Sequence, residues 1–282
     1  MSIFYTQNEL KAHLSVILSD KKTIGFVPTM GALHQGHLSL IKQALQENDV
    51  VVMSIFVNPT QFNNPEDLKK YPRTLEADVS LIQNLSNEVI VFAPSVEDIY
   101  DQQVVAKKFE YDGLENQMEG VNRPGHFDGV GTIVKKLFEI VQPTRAYFGE
   151  KDFQQLQIIR KMVAKNQMPI QIVGVPIFRQ EDGLAMSSRN SLLSEDDRKY
   201  AAALYAILKK AQDLYPNYSI TEVKQFVENE IQKYPKFTLE YFEIADEETL
   251  HSAIEKKEGV KYRGFIVAHI GGVRLIDNIA LN

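Results

Sequence analysis

Residues 25–41 read GFVPTMGALHQGHLSLI and hold two of the chain's six histidines, His34 and His37, with a glycine directly before the second. Gly31 permits a turn with positive φ, and Gly36 lets a ligand come close to the backbone where a side chain would obstruct it. An apolar run precedes the pair and another follows it, as when a strand gives way to a helix. The imidazoles then lie near the helix's first turn, where unpaired N–H groups and the macrodipole favour anions. Histidine donors added to such a turn make a site for a polyphosphate. Zinc is a weaker reading, because it wants three or four ligands, and the i, i+4 spacing of helical zinc proteases is missing. Spacing alone leaves a phosphate-binding turn and ordinary loop structure both open.

Four other stretches carry chemistry in the same ambiguous way. FGEKDFQQLQ offers Lys151 as a point charge for phosphate, while Asp152 and Gln155 are spaced as in a capping box that needs no ligand. AMSSRNSLLS offers the hydroxyls of Ser187 and Ser188 and the guanidinium of Arg189, which can clamp two phosphate oxygens at once; a surface turn before a helix capped at Ser194 is the alternative. VNPTQF places the neutral amides of Asn58 and Gln61 beyond an apolar run. They suit the hydroxyls and carboxylates of a small polar ligand, and suit turns as well. RPGHF adds Arg123 and His126, with Pro124 and Gly125 fixing the backbone between them.

The elements that must position these residues alternate as in an α/β domain over the first ~175 residues. A helix over residues 6–19 precedes the strand TIGFVPT. The helix GHLSLIKQALQEN and the strand DVVVMSIFVN follow, the latter apolar enough to be buried on both faces. Residues 63–77 are polar and proline-broken and read as a long loop, and 100–128 reads as irregular. Between them lie the helix ADVSLIQNL and the strand EVIVFAPS. The helix GTIVKKLFEIVQ, the strand RAYFGEKD, the helix FQQLQIIRKMVAKNQ and the strand IQIVGVPIF complete the alternation. After residue 178 a turn-rich stretch leads to the helix EDDRKYAAALYAILKKAQDLY, a second helix over 221–233, the strand FTLEYFEIAD, and two strands joined through Gly271 and Gly272, a common hairpin turn. The expected architecture is a Rossmann-like parallel-sheet α/β domain over residues 1–176, then a smaller α+β domain over 177–282. In open α/β sheets ligands bind at the carboxyl ends of strands, and the polar stretches fall at those ends.

Composition narrows the partners. The 282 residues carry 31 basic and 37 acidic side chains, a formal net charge of −6, with no basic tail or stripe. A nucleic-acid partner therefore gains no electrostatic support, although a small anion needs only a few local cations. Cysteine is absent, which excludes disulfides, thiolate metal ligands and cysteine nucleophiles. No apolar stretch approaches the ~20 residues of a membrane span, and the first residues lack the pattern of a secretory signal; the expected location is the cytoplasm.

Taken together the stretches are far more specific. PTMGALHQGH resembles the HxGH-type signature of the nucleotidyltransferase superfamily, which includes the class I aminoacyl-tRNA synthetases, and MSSRN resembles that superfamily's KMSKS-type signature. The ordered set PTMGALHQGH, FVNPTQF, YPRTLEAD, RPGHFDGV, FGEKDFQQ and MSSRN is similar to the pantoate–β-alanine ligase (pantothenate synthetase) family. The resemblance implies condensation of pantoate with β-alanine through a pantoyl adenylate, with release of pyrophosphate and then AMP.

It also implies a site. Met30, Gly31, Ala32, Leu33, His34, Gln35, Gly36 and His37 would hold ATP, with both imidazoles on its phosphates and His37 as general acid. Gly149, Glu150, Lys151 and Asp152 would hold the nucleotide, with Lys151 on the phosphates. Met186, Ser187, Ser188 and Arg189 would close over the triphosphate from the second domain, and backbone near Phe178 would meet adenine. Gln61 and Gln155 would bind pantoate, Gln61 would also face β-alanine, and Asn58 and Arg123 are secondary candidates. Magnesium would sit on the triphosphate near an acidic pair, of which only Asp78 is present, since Ala77 takes the other place. A homodimer is implied, and the loop 63–77 is placed to act as a lid that keeps water from the adenylate. The alternatives are a nucleotidyltransferase acting on a phosphorylated acceptor, a synthetase fragment, and a non-catalytic nucleotide sensor. The neutrality of Asn58, Gln61 and Gln155 disfavours the first, and the acidic balance the second; Lys151 with both histidines disfavours the third.

Overall fold

The computed structural model describes residues 1–101 and 103–282, with the Asp67 side chain outside that description. The chain divides into two compact units, Met1–Glu150 with Gln154–Pro176, and Lys151–Phe153 with Ile177–Asn282.

The first unit opens with β1 (Ser2–Phe4) and α1 (Gln7–Ser19), whose N-terminus is closed by the Thr6 hydroxyl accepting from the Glu9 N–H and whose Leu10 and Leu14 are buried one turn apart. Next come β2 (Ile24–Thr29), α2 (Gln35–Glu47), β3 (Val50–Ile55), α3 (Pro65–Lys70), α4 (Leu75–Leu85), β4 (Ile90–Phe92), α5 (Val96–Tyr100) and α6 (Met118–Asn122). The unit closes with α7 (His126–Val141), β5 (Arg145–Gly149), α8 (Phe153–Lys165) and β6 (Gln171–Val175). The six strands form one sheet in the order β1-β4-β3-β2-β5-β6, with every pairing parallel. Parallel sheets are covered on both faces; accordingly Val51, Val52 and Met53 of β3 are all fully buried.

Chain order reverses at β2, which lies between β3 and β5. This is the switch point at which α/β sheets open a crevice beyond their carboxyl ends. The β2–β5 ladder pairs only Gly25 with Arg145 and Phe26 with Ala146. Pro28 lacks an N–H and cannot donate to a longer one.

The second unit is built on an antiparallel sheet of β7 (Thr238–Asp246), β8 (Tyr262–Ile270) and β9 (Val273–Ala280). Packed with it are α9 (Glu195–Ala201), α10 (Ala203–Leu214) and α11 (Ile220–Gln232). Leu204, Ile207, Leu208 and Ala211 from α10 and Val223, Val227 and Ile231 from α11 share one core with Phe242, Ile244, Ile266 and Ala268 of the sheet. The β8–β9 hairpin turns through Gly271 and Gly272, at φ 56 and 75. A two-residue turn with both φ positive matches the twist of the strands it joins.

Several boundaries differ from the sequence reading. The loop 63–77 contains α3, opened by Asn64, whose side chain accepts from the Glu66 N–H, with Pro65 at the first helical position. Proline there is pre-set for a helix start, so the proline read as a breaker is an initiator. α7 begins at His126 instead of Gly131, because Gly125 at φ 78 provides its entry. The short β1 pairs with β4, where the sequence reading has no element before the first helix. β6 ends at Val175, before Pro176, and the helix expected over 195–215 is interrupted at Ala202. Among the described residues, no helix is long and apolar enough to cross a membrane.

Candidate active site

β2 delivers the chain into the Met30 turn, and α2 leaves it. His34 is the N-cap of α2, in extended backbone, and its Nδ1 accepts from the Gly36 N–H at 3.2 Å. His37 completes the box: its Nδ1 accepts from the His34 N–H at 3.2 Å. The rings lie 4.1 Å apart between centroids and are tilted by 35°. A capping box is ordinarily made by a hydroxyl and a carboxylate or amide; here two imidazoles make it. Because each Nδ1 is an acceptor, each neutral ring carries its proton on Nε2. Adding a proton at Nδ1 would set N–H against N–H and undo the cap. The helix end thus selects one tautomer for both rings, the tautomer with its donor at the far nitrogen.

The turn before them is wound tightly. Gly31 has φ 83 and Ala32 φ 50. The Ala32 N–H donates to Asp78 Oδ2 at 3.0 Å and the Leu33 N–H to Asp78 Oδ1 at 2.8 Å, while the Thr74 hydroxyl reaches both oxygens at 3.2 Å. Asp78 sits in the first turn of α4 and is 3% exposed. A Cβ at Gly31 would stand 3.0 Å from Asp78 Oδ2 and 3.1 Å from Ile55 Cγ2, so glycine is required there for space as well as for φ.

A second group lies beyond β3. Asn58 is 1% exposed and its amide is fully committed. Its Oδ1 accepts from the Tyr100 hydroxyl at 2.6 Å and from Thr60 Oγ1 at 3.1 Å; its Nδ2 donates to Gly129 O and to Gln61 Oε1, each at 3.1 Å. Burial pushes the Tyr100 hydroxyl up from its ordinary pKa, with the Thr60 hydroxyl opposing, which keeps it a donor to Asn58. Gln61 also donates from Nε2 to Met30 Sδ at 2.9 Å, and its carbonyl meets His126 Nδ1 at 2.9 Å. This joins the VNPTQF turn to the Met30 turn. The contact with α7 is close enough that a Cβ on Gly129 would stand 2.2 Å from the Thr60 carbonyl oxygen. Gln155 lies in the first turns of α8 and is half-buried; Arg123 ends α6 and is half-buried. Gly149 ends β5, followed by a 3-10 turn over Glu150–Asp152.

The remaining candidates belong to the second unit. Lys151 and Asp152 group there, held by Asn278 Nδ2 donating to the Lys151 carbonyl at 2.9 Å and by Phe153 under the Arg263 guanidinium at 3.9 Å. Phe178 and Met186 close a small hairpin in which the Met186 N–H donates to the Phe178 carbonyl at 2.9 Å. Arg179 anchors it, bidentate on buried Asp277 at 2.7 and 2.9 Å and stacked over Tyr205 at 3.7 Å. Ser187 then caps the 3-10 turn Ser188–Leu192 by accepting from the Arg189 N–H at 3.3 Å. Its hydroxyl is already in use, whereas the Ser188 side chain makes no part of that cap.

A family model described as pantoate-beta-alanine ligase matches residues 2–280. The chain belongs to the pantoate–β-alanine ligase family. It is 59% identical over 281 residues to the pantothenate synthetase of Flavobacterium psychrophilum, covering 100% of each chain. It superimposes on the crystal structure of the pantothenate synthetase of Thermus thermophilus with a TM-score of 0.92 at 42% identity, covering 100% of this chain and 99% of that one. A third relative, the pantoate-beta-alanine ligase of Francisella tularensis in complex with beta-gamma ATP and beta-alanine, matches with a TM-score of 0.81 at 38% identity, covering 100% and 98%.

Within this pantoate–β-alanine ligase fold, the residues that sequence reasoning missed are those that act through another. Thr60 lies within VNPTQF and Gly129 within RPGHFDGV, so the motifs themselves hold both. Gln154 was passed over for its neighbour: it is buried, donates to the carbonyls of Leu114 and Gln117 at 2.9 Å each, and accepts from the Glu119 N–H at 3.0 Å. It thereby braces the segment leading to Arg123. Tyr100 and Asp277 are remote in sequence from the groups they hold and leave no local signal.

Proposed function

We propose that this chain is an ATP-dependent ligase that joins pantoate to β-alanine, forming pantothenate, AMP and pyrophosphate. The observation that carries the reading is family membership over nearly the whole length, joined to an imidazole-capped helix N-terminus at the switch point of the sheet. In the first step a pantoate carboxylate oxygen attacks the α-phosphorus of ATP, the bond to the β-phosphate bridging oxygen breaks, and pyrophosphate leaves. In the second the β-alanine amine attacks the acyl carbon, AMP departs, and the amine nitrogen loses a proton. No enzyme acyl group is needed, in keeping with a chain that has no cysteine.

Each candidate residue has a physical role in this scheme. His34 and His37 present Nε2–H donors at the positive end of α2, where charge grows on the leaving pyrophosphate; such fixed donors each contribute a few kcal/mol, about 2.7–4 in measured cases. Lys151 adds a cation, and Arg189 a fork for two phosphate oxygens. Gln61 and Gln155 hold pantoate, and Gln61 meets β-alanine. Asn58 orients Gln61 from behind, and Arg123 belongs to the rim of the acyl pocket. Met186, Ser187, Ser188 and Arg189 meet the triphosphate, and backbone near Phe178 receives adenine. Magnesium enters with the triphosphate as part of the substrate. A homodimeric, cytoplasmic enzyme completes the proposal, and sedimentation of the purified chain tests the dimer.

The test is isotope exchange between pyrophosphate and ATP. Exchange that requires pantoate, with net AMP formed only once β-alanine is added, supports the reading; exchange without pantoate counts against it.

A further inference from the structure

The resemblance assigns Asp78 to magnesium, and the side chain is poorly suited to that. Inner-sphere Mg²⁺ needs an open lone pair at about 2.0–2.1 Å and keeps several waters. A carboxylate has about four lone-pair sites. On Asp78 each oxygen takes one backbone N–H, from Ala32 or Leu33, and the Thr74 hydroxyl, 3.2 Å from both, supplies its one proton, so three donors fill three of those sites. The group is 3% exposed, which leaves no room for a hydrated ion. Among the described residues, no group of three or more His, Asp or Glu is arranged to hold a metal.

What the carboxylate does touch is the turn that sets up His34 and His37. Gly31 and Ala32 both have positive φ, and successive amides in such a turn converge on an anion. Here the anion is internal. Left-handed backbone at a non-glycine residue is strained and persists only where its surroundings over-determine it, and at Ala32 the bond to Asp78 does so. The α4 end is held in turn: the Asp78 N–H donates to the Thr74 carbonyl at 2.8 Å.

We infer that Asp78 is a positioning residue for the nucleotide-binding turn: its carboxylate occupies the Ala32 and Leu33 amides and fixes where α2 presents its two imidazoles, instead of ligating magnesium. This rests on the reading of residues 30–37 as the ATP site. It follows that the Ala32 and Leu33 amides serve the fold, and that the phosphates are met by the helix end and the imidazoles.

The test measures ATP binding by calorimetry with EDTA present, then titrates magnesium into the pyrophosphate exchange assay. Asp78→Asn keeps the size but replaces one acceptor with a donor facing an N–H. It should weaken metal-free ATP binding ~10-fold or more, as loss of charge-assisted bonds and displacement of a binding group predict, while the magnesium midpoint stays within about twofold. Thr74→Val, which leaves the carboxylate in place, should shift metal-free binding in the same direction by a smaller factor, and it carries the test if Asp78→Asn does not fold. Unchanged metal-free affinity with a magnesium midpoint raised ~10-fold would overturn the inference. So would a lower melting temperature with affinity and midpoint both unchanged. His37→Ala serves as the control: if it too leaves metal-free ATP binding untouched, the ATP-site reading has failed; if it weakens binding while Asp78→Asn does not, only the positioning role has.

Discussion

Each imidazole of the pair has two jobs that mutation can separate. As N-cap, His34 satisfies the Gly36 N–H; as proposed ligand group, it offers Nε2–H to phosphate. His34→Ala should lose both, with a stability cost of about 1 kcal/mol for the cap. His34→Asn keeps an acceptor at the cap and should restore most of that stability in a denaturant titration while leaving pyrophosphate exchange impaired. Recovery of both together would mean that the ring acts only as a cap. His37→Ala and Lys151→Ala are expected to lower exchange by ~100-fold or more if they stabilise the transition state. A drop confined to the melting temperature would return both residues to a structural role.

Two elements carry predictions of their own. Where α7 crosses the 59–61 turn, Gly129 leaves no space for a methyl group. Gly129→Ala should destabilise the chain by about 1–3 kcal/mol through overpacking. It should also raise the KM for pantoate more than that for ATP, because the displaced turn carries Gln61; equal changes in both would sever that link. In the second unit, Glu240 on β7 accepts from Arg274 Nε and Nη2 at 2.8 and 2.9 Å and meets His269 Nε2 at 2.7 Å. Arg274 first, and His269 after it, hold the carboxyl down to about 2, against desolvation. A depressed folded-state pKa stabilises above the unfolded value and stops doing so as pH falls through the folded one. Glu240→Gln should therefore lower the melting temperature at pH 7, and the gap to the parent should close between about pH 4.5 and pH 2. A gap that persists unchanged at pH 2 would assign the effect to packing.

At the scale of the molecule, an acyl adenylate must be kept from water until the amine arrives. The segment 63–77 is proposed as the cover. It is less shapeless than its composition implied, with α3 held by Asn64 and Pro65 and α4 entered at Leu75. Its shortening should increase AMP release without pantothenate more than it weakens ATP binding. Coupling of ATP use to product that is unchanged in the shortened chain would remove the lid role.

Local pattern was enough for much of this. Runs such as VVVMSI and amphipathic stretches such as those of α2 and α11 are set by neighbours in sequence, so the alternation of strands and helices could be read directly. The Gly271–Gly272 hairpin and the placing of His34 and His37 at a helix start were also legible, because turns and caps depend on a few adjacent residues. The helix entry at Pro65 looked like a break, and the one at Gly125 fell in a stretch that reads as irregular, because the same residue can end one element or open another. What only the tertiary structure decided were partnerships across long stretches of chain: Tyr100 on Asn58, Gly129 against Thr60, Arg179 on Asp277, and Asp78 under Ala32 and Leu33. A carboxylate has the same formula whether it binds a metal or a backbone amide. Which it does depends on the groups that folding brings within 3 Å of it, and sequence spacing does not carry that distance.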